Sequence, residues 1–250
     1  MTEMPEKQDT IAAKRRSIAL IIALSIAFLA LSAAADEQTI LFREDFAALD
    51  SWKPFFFPKI KTHSTYTIER DGDRHWLRAE SIASASAIVY KDSFDVYEHP
   101  VVRWRWKVRN LYQKGDALVK AGDDFPMRVY VMFEYDPERA GFGDRITYGL
   151  AKSLYGEYPP HSSLNFVWSS KEHPERIITN PFTDRAKDIL LRKGPSLVGT
   201  WQDEEVNILS DYQAAFGTKP PARARIAIMN DSDNTGESSV SWMEYLEVSR

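Results

Sequence analysis

Residues 101–108 read Val-Val-Arg-Trp-Arg-Trp-Lys-Val, a pattern that few folds can accommodate. On a strand, successive side chains point to opposite faces. Val102, Trp104, Trp106 and Val108 therefore share one face, and Arg103, Arg105 and Lys107 share the other. A helix would scatter both sets around its axis, so the alternation selects a strand with one core face. Met127 to Tyr135 repeats the design: Met127, Val129, Val131, Phe133 and Tyr135 form an apolar set, opposite Arg128, Tyr130, Met132 and Glu134.

The remaining segments follow the same logic. Ile40–Phe46, Ser86–Tyr90, Leu164–Trp168, Arg176–Thr179, Ile189–Arg192, Trp201–Val206 and Val240–Val248 are short strand candidates split by turn residues. Tyr66–Arg70 and His75–Ala79 flank Asp71-Gly72-Asp73, the signature of a hairpin. Helical signals are few. Asn207 can cap a helix that Gly217 ends and Pro220-Pro221 prevents from resuming, and Arg145–Leu154 predicts a second short helix. The expected fold is an antiparallel two-sheet β-sandwich, jelly-roll-like, with one or two short helices.

Residues 1–35 read as a signal peptide. Lys14-Arg15-Arg16 is a positive start, Ile18–Leu31 is apolar apart from Ser25, and Ala33-Ala34-Ala35 precedes Asp36. The apolar run falls short of the about 20 residues that a membrane span needs. This predicts cleavage, no lasting membrane span, and a single domain over 36–250 in the periplasm or outside the cell. The rival reading is an uncleaved anchor. The absence of cysteine suits a domain large enough to hold its core without disulfides. From residue 36 onward the chain carries 28 Lys and Arg against 33 Asp and Glu, which argues against nucleic-acid binding.

Five stretches together carry a family resemblance: 104–108, 123–133, 164–168, 211–217 and 226–236 (Ile-Ala-Ile-Met-Asn-Asp-Ser-Asp-Asn-Thr-Gly). In that order, across nearly all of residues 40–248, the chain resembles a family of exported bacterial proteins called domain of unknown function 3047. The resemblance implies export and a single domain. It implies no activity and supplies no active-site residues.

Two constellations could carry chemistry. If the 101–108 and 127–135 strands lay in one sheet, Arg103, Arg105 and Arg128 would share a face with Tyr130 and Glu134. Guanidinium forks pair with carboxylate or sulfate, and an aromatic ring can stack on a sugar. The implied partner is an anionic glycan or other envelope component; the bland alternative is a solvated face neutralised by the protein's own acids. The second is the turn Asp231-Ser-Asp233-Asn-Thr-Gly236, which has the first half of a calcium loop. Asp231 and Asp233 could hold Ca2+, with Asp123-Asp124 adding oxygens from another loop, but Trp242 stands where the pattern needs a bidentate Glu. The alternative is a turn whose side chains bond to its own backbone.

Other chemistry finds less support. Asp203 and Glu205 alternate on one strand and could serve a glycosidase, although acids on exposed strands are common. The histidines at 63, 75, 99, 161 and 173 lack ligand spacing. Tyr148, Tyr155, Trp168 and Trp201 read as core. The sequence therefore points first to an exported saccharide-binding sandwich without catalysis, then to an envelope glycosidase or lyase, then to an assembly protein of the envelope.

Overall fold

The computed structural model describes residues 39–138, 148 and 158–250. The segment read as a signal peptide, the expected helix at 145–154 and Tyr155 lie outside them, apart from Tyr148. The two alternating segments become strands of different sheets. The first is a six-stranded sheet. Its strands are β1 (Ile40–Glu44), β3 (Thr65–Asp71), β4 (Arg74–Ile82), β7 (Val101–Val108), β12 (Gln202–Asn207) and β14 (Ser238–Ser249). They run in the order β12-β7-β14-β4-β3, and β1 takes over from β4 alongside the far end of β14.

The second sheet has eight strands. These are β2 (Trp52–Phe55), β5 (Ala85–Tyr90), β6 (Phe94–Asp95), β8 (Arg128–Phe133), β9 (Ser162–Ser169), β10 (Ile177–Thr179), β11 (Ala186–Lys193) and β13 (Arg223–Asp231). Seven follow the order β10-β11-β9-β8-β13-β5-β2, and β6 pairs with one end of β13. The expected sandwich is present, with one departure from pure antiparallel pairing: β9 and β11 run parallel. A parallel neighbour needs a crossover, and residues 170–185 supply it by way of the short strand β10.

Local chemistry explains the turns. Gly72 has φ of 59° between β3 and β4, a left-handed conformation that a side chain would resist. The helix α1 (Ile208–Phe216) starts where Asn207 accepts the Ser210 N–H and ends at Gly217, whose φ is 72°. Cap and stop are those the sequence offers.

The two inner faces interlock aromatic rings. Trp104 and Trp106 of β7 meet Phe166 and Trp168 of β9 at centroid distances of 5.7 and 6.1 Å. Val129, Val131 and Phe133 of β8 join the same core. Trp106 is fully buried, and its indole N–H donates to Glu204 at 2.9 Å. Glu204 is in turn held by Arg192 at 2.6 Å. Trp106→Ala should therefore cost about 3–5 kcal/mol, the range for a large aromatic removed from a packed interior. Urea unfolding would show this as a lower midpoint. An unchanged midpoint would mean that the indole faces water.

Candidate functional site

Because the inner faces pack together, the two outer faces point away from each other. This separates the arginines that the sequence placed together. Arg103 and Arg105 lie outside on the six-stranded sheet, whereas Arg128, Tyr130 and Glu134 lie outside on the eight-stranded one. The shared cationic patch does not form, because its premise of one sheet is not met. Arg103 pairs with Glu205 at 2.7 Å and Glu247 at 3.5 Å, and Arg105 with Glu244 at 3.1 Å and Asp203 at 3.8 Å. Asp203 and Glu205 thus answer arginines on the neighbouring strand. Lys107 sits between the rings of Trp201 and Trp242, at 4.8 and 4.4 Å. Trp201, read as core, belongs to this outer face.

The outer face of the eight-stranded sheet has two halves. Over one half folds the 109–126 connection between β7 and β8, whose Ala117 and Phe125 pack on Val167, Ile178 and Leu190. Beneath it lies Arg128, only 4% exposed at its side chain. Its Nε donates to Asp231 Oδ1 at 2.9 Å, and its Nη2 donates to Asp231 Oδ2 and to the Asp123 carbonyl. The Phe125 ring covers the guanidinium at 4.6 Å.

From this fork a chain of polar contacts crosses three strands. Asp123 accepts from the Asn180 amide at 3.2 Å, and that amide also donates to Asp188 at 3.0 Å. Asp188 accepts from Asn165 at 2.8 Å, and Asn165 accepts from the Ser163 hydroxyl at 2.8 Å. Asn165, Asn180 and Asp188 escaped the sequence reading. A signal for two of them exists, since Asn165 and Asp188 border apolar strand runs where an unpaired polar group would be costly.

Charge is unbalanced here. Burial pushes the Asp188 carboxyl up to about 6, reinforced by the neighbouring Asp123 and opposed by Arg128. Burial likewise raises Asp123. For Asp231, burial pushes the carboxyl upward against the pull of Arg128. Both its oxygens accept from a permanently charged guanidinium, so the ion pair is the state that fits this contact.

The turn that could hold calcium is also in this region. Carboxylate oxygens of Asp124, Asp231 and Asp233 lie within 4.8 Å of one another, so the oxygens expected from the second loop do come close. Asp124 and Asp231 are already engaged. Asp124 accepts from the Thr235 N–H at 2.6 Å and the Asn234 amide at 3.0 Å, and Asp231 is committed to Arg128. A calcium ion would have to use the lone pairs these donors leave, on ligands that otherwise cap the turn.

The other half of the face is an open groove of about 520 Å3. Ala87, Ala227 and Met229 floor it, and Phe55, Phe57, Tyr130, Tyr135 and Tyr158 supply rings. Its polar lining includes Ser163, where the buried chain ends, and Glu134, which holds Arg225 at 3.0 Å. The run Phe55-Phe56-Phe57-Pro58 was the visible signal for one wall.

The raised Asp188 fixes the sign of a pH effect. The folded carboxyl keeps its proton to about pH 6, whereas the unfolded one loses it near 3.8. Between those values the folded state binds more protons, so stability falls as pH rises and the loss is complete above about 6. The fall is at most about 3 kcal/mol. In Asp188→Asn, urea unfolding across this range should show a correspondingly smaller decline. An identical decline in the variant would assign the effect to other groups.

No curated protein matches the chain. Among solved structures, it is similar to the family 11 carbohydrate-binding module of a Clostridium thermocellum cellulosomal cellulase. Identity is 8% and the TM-score 0.42, over 87% of this chain and 97% of that one. It is also similar to the xyloglucanase domain of NopAA from Sinorhizobium fredii, with 8% identity and a TM-score of 0.40 over 84% and 97%. The Bauhinia forficata lectin gives 9% and 0.39, over 83% and 97%. Likeness at this level carries nothing about ligands. Residues 50–247 match the model of the family described as protein of unknown function (DUF3047), and the chain belongs to that family.

Proposed function

We propose that the protein is an exported binding protein that takes a saccharide into the groove on the outer face of its eight-stranded sheet. The observation that carries this reading is the groove's lining: the rings of Phe55, Phe57, Tyr130, Tyr135 and Tyr158 around an apolar floor of two alanines and a methionine, with a few polar groups at the rim. A pyranose ring presents apolar C–H faces and hydroxyl edges. Aromatic walls suit the faces, while Ser163 and the Glu134–Arg225 pair suit the edges. The size falls within the range of small-molecule sites, about 300–1,000 Å3.

Binding is favoured over hydrolysis by the acids. Glycosidases need two carboxyl groups about 5 to 9.5 Å apart across the scissile bond. Among the described residues, Glu134 is the only carboxylate lining the groove, and Arg225 holds it. Asp203 and Glu205 belong to the other sheet.

The test is a glycan array with the full-length chain and three variants. Phe55→Ala and Tyr158→Ala should each weaken the glycans that bind by roughly tenfold, about the 1.4 kcal/mol expected for one lost ring contact. Arg103→Ala should leave them unchanged. Binding that is lost with Arg103 and indifferent to Phe55 and Tyr158 would move the site to the opposite sheet.

A further inference from the structure

The buried polar layer sets a hydrogen-bond direction that reaches the groove. At Asn180, the backbone N–H of Phe182 donates to Oδ1 at 3.0 Å. A backbone N–H can only donate, so the Asn180 carbonyl is turned to Phe182 and its amide to Asp188. An ionised carboxylate can only accept. Asp188 takes the Asn180 amide on Oδ2 at 3.0 Å and the Asn165 amide on Oδ1 at 2.8 Å. Asn165 therefore turns its Oδ1 to Ser163, whose hydroxyl donates to it at 2.8 Å. A hydroxyl has one proton, and Ser163 gives its proton to the protein. Its lone pairs are what remains.

The order is held by burial. Asn165 and Asp188 are 1% and 0% exposed, so solvent has no access to rearrange them. Ser163 is half-buried and lines both the groove and the hollow beside it. Its register partners on the flanking strands are Met132 and Ala186, and neither side chain carries a donor. Among the described residues no donor reaches the Ser163 hydroxyl oxygen.

We infer that Ser163 is a specificity-determining residue of the groove: it offers an acceptor and so selects a saccharide that donates a hydroxyl there. Asn165, Asp188 and Asn180 act through it as positioning residues. This rests on the reading of the groove as a saccharide site and adds the polarity of one contact to it. Removing the charge of Asp188 while keeping its shape reverses that polarity. In Asp188→Asn the side-chain oxygen must still face the Asn180 amide, so the new amide faces Asn165. Asn165 then turns over, its own amide faces Ser163, and the Ser163 proton is free to point into the groove.

The experiment is calorimetric titration of the full-length protein at pH 8, where Asp188 is ionised. The probe is methyl β-cellobioside, whose equatorially substituted rings keep both faces apolar, the surface that suits the aromatic lining. Its derivatives carry hydrogen or fluorine in place of each hydroxyl in turn. Fluorine can accept a hydrogen bond and cannot donate one. At one position either replacement should weaken binding about fivefold, the usual size for one neutral hydrogen bond. Ser163→Ala should weaken the parent by about the same factor and make both replacements at that position silent. In Asp188→Asn the fluorine derivative at that position should bind about threefold more tightly than the hydrogen one, because it now meets a proton. Thermal melts establish that the variants fold, and the Ser163→Ala cycle reads the contact without the second variant. The inference is overturned by a fluorine derivative as tight as the parent at the coupled position, by the absence of any position coupled to Ser163, by equally weak derivatives in folded Asp188→Asn, or by a parent that does not bind. The groove reading is judged separately: if glycans bind in a Phe55-dependent way and ignore Ser163→Ala, it stands and only this extension falls.

Discussion

Arg128 sits at a strand position that alternation alone would give to a solvated side chain, yet it is closed off from water. Its fork to Asp231 joins β8 to β13, and its contacts with Asp123 fasten the 109–126 connection over the sheet. Breaking one side of such a buried pair typically costs about 3–5 kcal/mol, because the survivor is left charged and dry. The chain of amides and carboxylates that starts there ends at Ser163 in the groove's lining. One half of this face is therefore a locked polar layer, and its boundary positions the open half.

The contrast between the outer faces follows from how each treats charge. On the six-stranded sheet, Arg103 and Arg105 meet acids on β12 and β14, and Lys107 lies among indoles, so the surface is neutralised where it stands. Where one partner stands in solvent, as Glu205 does, such a pair contributes little, of order 0–1 kcal/mol. On the eight-stranded sheet the acids and the guanidinium are buried beneath the loop, and the surface left over is aromatic. A ligand on the first face would compete with internal ion pairs. A ligand on the second would cover apolar surface.

Much of this was legible in the sequence. Period-two alternation at 101–108 and 127–135 identified the buried faces, and Asn207 and Gly217 marked the helix ends. What alternation cannot provide is the sheet to which a strand belongs. The period fixes a side chain's face relative to its own neighbours, and partners are chosen by long-range packing. That is why Arg128 was grouped with Arg103 and Arg105. The Asp231 turn was visible as a polar cluster, and the nearness of Asp124 was raised as a condition that only three-dimensional contact could meet. The groove was the least legible part, because Phe55, Tyr130, Tyr158 and Arg225 come from four separate stretches and no local spacing links them. Asn165 and Asp188, polar residues bordering apolar runs, were the missed clue to the buried layer.

The central claim is that the ligand lies on the outer face of the eight-stranded sheet. Hydrogen–deuterium exchange of the full-length protein, with and without a saturating glycan that binds on the array, tests it most directly because it reports both faces at once. Slower exchange is expected in the groove segments 55–57, 130–135 and 158–163, with 201–205 and 242–247 unchanged. Slowing confined to 201–205 and 242–247, on the arginine face of the six-stranded sheet, would contradict it.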